Sequence, residues 1–240
     1  MKSPEEIFYK EKTVEKRFIN LLELEKSIKY QPDTFKKGGR DNICKDSLEK
    51  NKLTNNKLIV ELGSGSGNCL MHLKSQFDFN EGIGFDLVYE DKFQYSGCKF
   101  ESVNLNQTWP LSDKSLDCLL SMMVFEHLFD PWFSFAEVKR ILSPTGRAFI
   151  NLPIVTNIKN RFRILIGRMP STSVPYSRWR ELEHWDGFHL HYFNVNSIKD
   201  LAKYSGLKLV RYSGCGRLAE LKSIFPNLLC GELSFELQHI

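Results

Sequence analysis

Lys57-Leu58-Ile59-Val60-Glu61-Leu62-Gly63-Ser64-Gly65-Ser66-Gly67-Asn68 is the stretch that decides the fold. Leu58, Ile59, Val60 and Leu62 form a short apolar run, suited to a central parallel strand covered on both faces. Glycines at alternate positions, Gly63, Gly65 and Gly67, break it abruptly and let the backbone approach a ligand where a side chain would intrude. A helix over about Asn68 to Phe77 then aims its free N–H groups back at that ligand. The dinucleotide fingerprint G-x-G-x-x-G does not fit, because its third glycine would fall on Asn68 or on Leu70. The observed order is acidic-x-G-x-G-x-G, with Glu61 near the end of the strand.

This order resembles the first motif of class I S-adenosylmethionine-dependent methyltransferases. The resemblance implies that Gly63, Ser64, Gly65 and Gly67 wrap the methionine end of S-adenosylmethionine, with Glu61 helping to hold its amine, often through water. That cofactor has no phosphate, so the loop needs close approach and shape more than a deep anion cradle. The plainer alternative is an ordinary tight strand-to-helix turn.

Gly82-Ile83-Gly84-Phe85-Asp86 forms the second strand, and Asp86 lies about twenty residues past the glycine loop, where a Rossmann-like sheet places the carboxylate that takes ribose hydroxyls. A carboxylate accepts two hydroxyl hydrogens at once; the competing role is a helix N-cap. Leu87 then lies beside the adenine. Lys99 to Val103 is a third strand, leading to Asn104-Leu105-Asn106 and Trp109-Pro110-Leu111. This segment resembles the family's D-x-x-x-x-L-P-F type pattern. That implies Asn104 and Leu105 at the adenine, with Asn104 in place of the usual acid and accepting through its amide oxygen.

A fourth strand, Cys118 to Ser121, follows Asp117. Beyond it, "FEHLFDPWFSFAEVKRILSPTGRAFINLP" resembles the methyltransferase-11 type pattern, "EHL.DP…E..R.L.P.G…I..P". The sequence predicts a helix from Pro131, a turn at Ser143-Pro144-Thr145-Gly146, and a fifth strand from Arg147 to Leu152. A helix over Asn196 to Tyr204, a sixth strand over Leu207 to Tyr212 and an antiparallel last strand over Ser234 to Gln238 complete the expected fold. That fold is an α/β, Rossmann-like, seven-stranded, mostly parallel sheet with helices on both faces. A domain of 57–240 is expected, with a lid insertion at about 153–195 and an N-terminal helical cover at 1–56. The cover comprises an amphipathic helix from Glu11 to Lys29 and a second helix near Ile43 to Leu53. Residues of about Asn151 to Leu209, with "GRMPSTSVPYSRW" and "HLHYF", are similar to the tail of MetW-type methionine-biosynthesis proteins. That similarity implies a second reading, a non-catalytic partner of a homoserine acyltransferase.

Methyl transfer from a sulfonium needs alignment of nucleophile, methyl carbon and sulfur. It needs a base only when the nucleophile must lose a proton. His127 follows the fourth strand at the carboxyl edge of the sheet, where ligands bind in open α/β folds, and is the general-base candidate; its alternative role is a hydrogen bond to the following helix. His184, His189 and His191 invite a metal, but no cysteine or acid cluster completes the H-x-H spacing, so none is expected. Lys159, Arg161, Arg163, Arg168, Arg178 and Arg180, interleaved with Phe162, Tyr176, Trp179 and Trp185, suit either a grip on an anionic acceptor or a solvated basic face. The expected acceptor is a small or carbohydrate-type molecule.

The bulk numbers are consistent with this. A chain of 240 residues, 42% hydrophobic, suits one α/β domain with an elaboration. A net charge of +4 is too small to imply DNA or RNA as partner. Cys44, Cys69, Cys98, Cys118, Cys215 and Cys230 are scattered without a C-x-x-C pair, the pattern of reduced core thiols in a cytoplasmic protein. No run reaches the roughly 18 apolar residues that span a bilayer, and no signal core opens the chain.

Overall fold

A computed structural model describes residues 39–51, 58–65, 67–87, 98–172, 186, 189–216 and 218–240. The predicted helix from Glu11 to Lys29 lies outside these residues, as do Ser66, Tyr176, Arg178, Trp179, Arg180, His184 and Trp185.

The described elements run in order α1 (Asn42–Asn51), β1 (Leu58–Leu62), α2 (Asn68–Gln76), β2 (Glu81–Asp86), β3 (Lys99–Ser102), β4 (Leu116–Met122), α3 (Pro131–Ile141), β5 (Leu142–Pro153), α4 (Ile158–Leu165), α5 (Val195–Tyr204), β6 (Leu207–Gly214), α6 (Ala219–Lys222), α7 (Pro226–Leu229) and β7 (Glu232–His239). The seven strands form one sheet in the order β3-β2-β1-β4-β5-β7-β6. β1 to β5 pair in parallel, and β7 is antiparallel to both β5 and β6. The order reverses direction between β1 and β4, which opens a crevice at the carboxyl ends of those strands.

Period-two alternation explains the two cores. Val60 and Leu62 of β1 face one side with Leu119, Phe125, Phe135 and Phe235. Ile59 faces the other, with Cys118, Leu120 and Phe149. α2 closes this second core with Cys69, Leu70 and Leu73, and α1 adds Ile43, Cys44 and Leu48. α1 is also stitched to the far strands: the Ser47 hydroxyl donates to Glu236 at 2.8 Å, and Arg40, just before the helix, pairs with Glu232 at 2.8 Å. Helix starts follow local chemistry. Asp130 caps α3 by accepting from the N–H groups of Trp132 and Phe133, with Pro131 at the first helical position. Asn194 and Ser197 form a reciprocal capping box on α5.

One expectation is corrected here. Ser143 to Gly146 is not a turn that precedes the fifth strand, since β5 begins at Leu142 and pairs with Leu116 before the register shifts ahead of Cys118↔Arg147. Gly146 is required by close approach: a Cβ there would sit 2.6 Å from the Leu116 carbonyl oxygen.

All six cysteines are free thiols. Burial pushes Cys44 and Cys69 well above the ordinary thiol range, and Cys215 up to about 12. Among the described residues no helix is long and apolar enough to cross a membrane.

Candidate active site at the carboxyl edge of the sheet

The glycine loop leaves β1 with φ of 60° at Gly63, 51° at Gly65 and 71° at Gly67. Gly63 lies against Val124, so that a Cβ there would overlap the valine side chain. Gly65 differs, because a Cβ there would meet nothing within 4 Å. The loop is tied down by its own backbone. Ser64 N–H donates to the Phe85 carbonyl at 3.1 Å, and Gly67 N–H to the Ser64 carbonyl at 2.7 Å. The Ser64 hydroxyl is buried and has no hydrogen-bond partner among the described residues.

Asp86, at the end of β2, reaches across to the loop. One carboxylate oxygen accepts from Gly65 N–H at 2.7 Å, and the other from Leu87 N–H at 2.7 Å. Leu87, half-buried, accepts through its carbonyl from the Ser102 hydroxyl. Glu61 is buried beneath the loop and accepts from Leu70 N–H of α2 at 3.1 Å. It thereby satisfies a donor in the first turn of that helix, a site that favours negative charge. Burial nevertheless pushes the Glu61 carboxyl up to about 8, with the nearby Asp86 charge acting in the same direction.

After β3, the Asn104 amide oxygen accepts from Asn106 N–H at 3.0 Å. The Leu105 side chain sinks into the core, and its carbonyl accepts from the Trp109 indole at 3.1 Å. The Asn106 amide oxygen accepts from Phe129 N–H at 2.7 Å, linking this loop to the segment after β4. α3 holds the same loop from below. Glu137 accepts from Trp109 N–H at 2.8 Å, while Arg140 donates to the carbonyls of Leu111 and Trp109 and to Glu137 and Asp113. These bonds, Arg140's above all, draw Glu137 below the ordinary carboxylate range against its own burial. The i, i+3 spacing of Glu137 and Arg140 is visible in sequence, but their backbone partners at Trp109 and Leu111 are not.

The segment after β4 supplies the other wall. Met123 adopts φ of 61°, held by its N–H bond to the Asn151 carbonyl at 3.0 Å. Such a conformation in a non-glycine residue is a cost that surrounding structure must maintain. Phe125–His127 form a short 3₁₀ turn. Glu126 is fully buried, and its carbonyl accepts from Leu190 N–H at 2.8 Å, which brings the returning chain alongside. His127 Nε2 lies 4.0 Å from Glu126 Oε1, and its ring meets His189 edge-on at 4.8 Å between centroids. His189 Nδ1 bonds the Thr172 hydroxyl at 2.6 Å, and Thr172 in turn rests on Asp186. Burial lowers the His189 pKa, with Asp186 opposing in part. His191 faces elsewhere, bonding the Phe129 carbonyl at 3.1 Å. The H-x-H spacing therefore does not converge. Instead His189 joins Glu126 and His127, a set that spacing along the chain could not reveal.

In the insertion, Arg161 and Arg163 spend their Nε groups on the carbonyls of Thr156 and Met169. Ile158, Phe162, Leu165 and Met169 are exposed beside them.

The residues around the crevice fit the adenosyl ligand that the motifs imply. Among the described residues a Cβ on Gly65 would meet nothing within 4 Å and the buried Ser64 hydroxyl has no hydrogen-bond partner, while the Asp86 carboxylate sits against the loop through Gly65 N–H. Residues 60–150 match the family model described as "Methyltransferase domain". No curated protein matches the chain. Among solved structures, the chain resembles the 1,6-didemethyltoxoflavin-N1-methyltransferase of Burkholderia thailandensis, solved with 1,6-didemethyltoxoflavin and S-adenosylhomocysteine (TM-score 0.59, 11% identity, covering 95% of this chain and 91% of that one). It also resembles an S-adenosylmethionine-dependent methyltransferase of Mesorhizobium loti (0.57, 15%, 84% and 100%). A third is the phosphoethanolamine N-methyltransferase 2 of Haemonchus contortus, solved with phosphomonomethylethanolamine and S-adenosylhomocysteine (0.58, 12%, 84% and 53%).

Proposed function

We propose that the chain, whose residues 60–150 match a methyltransferase domain, is a class I S-adenosylmethionine-dependent methyltransferase that methylates an oxygen or nitrogen atom of a small-molecule acceptor. The observation that carries this reading is the meeting of the left-handed Gly63, Gly65 and Gly67, the Asp86 carboxylate bonded to Gly65 N–H, and the buried Ser64 hydroxyl, which has no hydrogen-bond partner among the described residues. When bound, the cofactor supplies a methyl group already activated by the positive sulfur. The chain's own task is to hold and align. Asp86 takes ribose hydroxyls while keeping Gly65 in place. Glu61, once ionised, faces the amine, and Leu87 and Asn104 border the adenine. Leu105 supports that border from the core side.

His127 marks the acceptor side, where a proton leaves if the nucleophile is a hydroxyl or an amine. Small-molecule acceptors accompany the toxoflavin-precursor and phosphoethanolamine enzymes, which supports the acceptor size without fixing its identity. The acceptor we propose within that class is anionic or carbohydrate-type, with Arg161, Arg163 and Arg168 of the insertion as its candidate cationic partners. The partner-protein reading of the tail gains no support from these likenesses.

Calorimetry with S-adenosylhomocysteine tests the assignment. The wild-type chain binds one equivalent, and Asp86→Ala weakens binding at least about tenfold, roughly 1.4 kcal/mol or more. Absence of binding by the wild type overturns the methyltransferase reading. Unchanged affinity in Asp86→Ala overturns the ribose assignment alone.

A further inference from the structure

We propose that Glu126, His127 and His189 bind a divalent first-row transition ion at the acceptor end of the crevice, and that this ion, rather than a free imidazole, prepares the acceptor oxygen. The proposal deepens the methyl-transfer reading above and rests on it for the ion's role, though not for the site itself.

One ligand atom from each residue lies within 4.8 Å of the other two. Donors around a single ion with bonds of about 2.1 Å sit roughly 3.0–4.2 Å apart, so a small inward rotation of the side chains closes the set. The donors come from two stretches that the backbone already clamps together, since Leu190 and His191 N–H groups both donate to the Glu126 carbonyl. Two imidazoles with one carboxylate suit manganese, iron, cobalt or zinc, and are too rich in nitrogen for magnesium or calcium. Three protein ligands leave positions open for an acceptor oxygen or water.

The surroundings are those of a built site. The Thr172 hydroxyl engages Nδ1 of His189 at 2.6 Å, leaving Nε2 as the ligating nitrogen. Asp186, itself buried, fixes Thr172 through its backbone N–H at 2.8 and 2.7 Å and also accepts from the Ser171 hydroxyl at 2.8 Å. Carboxylates and hydroxyls in this outer position orient a ligating histidine and increase its basicity. Glu126 is fully buried with His127 Nε2 4.0 Å from its carboxylate, and a cation held there would offset the cost of burying that charge. A divalent ion on a single carboxylate carries net positive charge. It therefore holds a hydroxyl acceptor and lowers that hydroxyl's pKa, its proton leaving to water.

The test uses the full chain, stripped of metal with chelator and then titrated with Mn²⁺ and with Co²⁺. Calorimetry should show one equivalent bound, and the cobalt form should develop visible d–d bands. His189→Ala and Glu126→Gln each lower Mn²⁺ affinity at least tenfold. Thr172→Ala, distant from the ion and less disruptive to folding, lowers it to a smaller degree. S-adenosylhomocysteine affinity, measured in parallel, stays at the wild-type value in His189→Ala and Thr172→Ala. Retained nucleoside binding with no Mn²⁺ or Co²⁺ uptake overturns the ion site and returns His127 to the role of free base. Uptake that is unchanged in both His189→Ala and Thr172→Ala overturns it as well. Ion uptake that depends on these residues, in a chain that does not bind the nucleoside, would uphold the site while removing the methyltransferase reading.

Discussion

Among single residues, the cofactor role proposed for Glu61 makes binding depend on pH. Its carboxyl stands at about 8 in the folded chain against an ordinary value of 4.5. Between those values the folded state keeps a proton that the unfolded state has lost. Stability of the ligand-free protein therefore falls as pH rises from about 4.5 to about 8, and levels off above. Urea unfolding across that range should show the decline, and Glu61→Gln should flatten it. With Glu61 in its proposed place beside the cofactor's amine, the ligand should respond in the opposite sense: an ammonium pairs with the ionised carboxylate, so affinity for S-adenosylhomocysteine should rise through the same window. Calorimetry in buffers of different ionisation enthalpy should register proton release on binding in the wild type and none in Glu61→Gln.

At the scale of elements, two contacts lock loops that begin far apart in the chain. Arg140 on α3 satisfies two carbonyls of the segment after β3 and two carboxylates. Arg140→Ala leaves Glu137 buried without its cation. It should cost about 2–4 kcal/mol by chemical denaturation and weaken nucleoside binding through the loosened Asn104–Leu111 loop. Arg140→Lys should recover little, because one ammonium cannot reproduce the guanidinium fork. The other contact is Gly63 against Val124. Gly63→Ala meets both the valine and a φ of 60°, and should destabilise by about 1–3 kcal/mol. Adding Val124→Ala should relieve the collision but not the backbone strain, so a thermal melt of the double variant should fall between the wild type and Gly63→Ala.

For the molecule as a whole, the crevice is assembled from the ends of β1, β2, β4 and β5 and the segment leading from β3. Cofactor binding at the proposed site would thus draw on most of the sheet. Saturation with S-adenosylhomocysteine at 100 times its dissociation constant should stabilise the chain by about 2.7 kcal/mol. The melting temperature should rise by several degrees as one cooperative step. A melt in which only part of the chain shifts would contradict a crevice shared across the sheet.

Strand and helix placement was legible along the chain, because apolar periodicity, capping residues and glycine spacing are local signals. Asp130 before Pro131, Asn194 with Ser197, and the run from Leu58 to Gly67 each declare their element within a few residues. The start of β5 departs from its local signals for the same reason in reverse. Pro144 and Gly146 carry the local marks of a turn, whereas pairing between Leu142 and Leu116 overrides them. The sequence by itself therefore determined the α/β sheet and the residues at its carboxyl edge, since these follow from local chemistry and one repeated pattern. Only the tertiary structure decided which side chains meet there: Asp86 with Gly65, Arg140 with Trp109, and His189 with His127 rather than with His191. Those meetings depend on strand order and on the path of the returning chain, and neither has a counterpart in spacing along the chain.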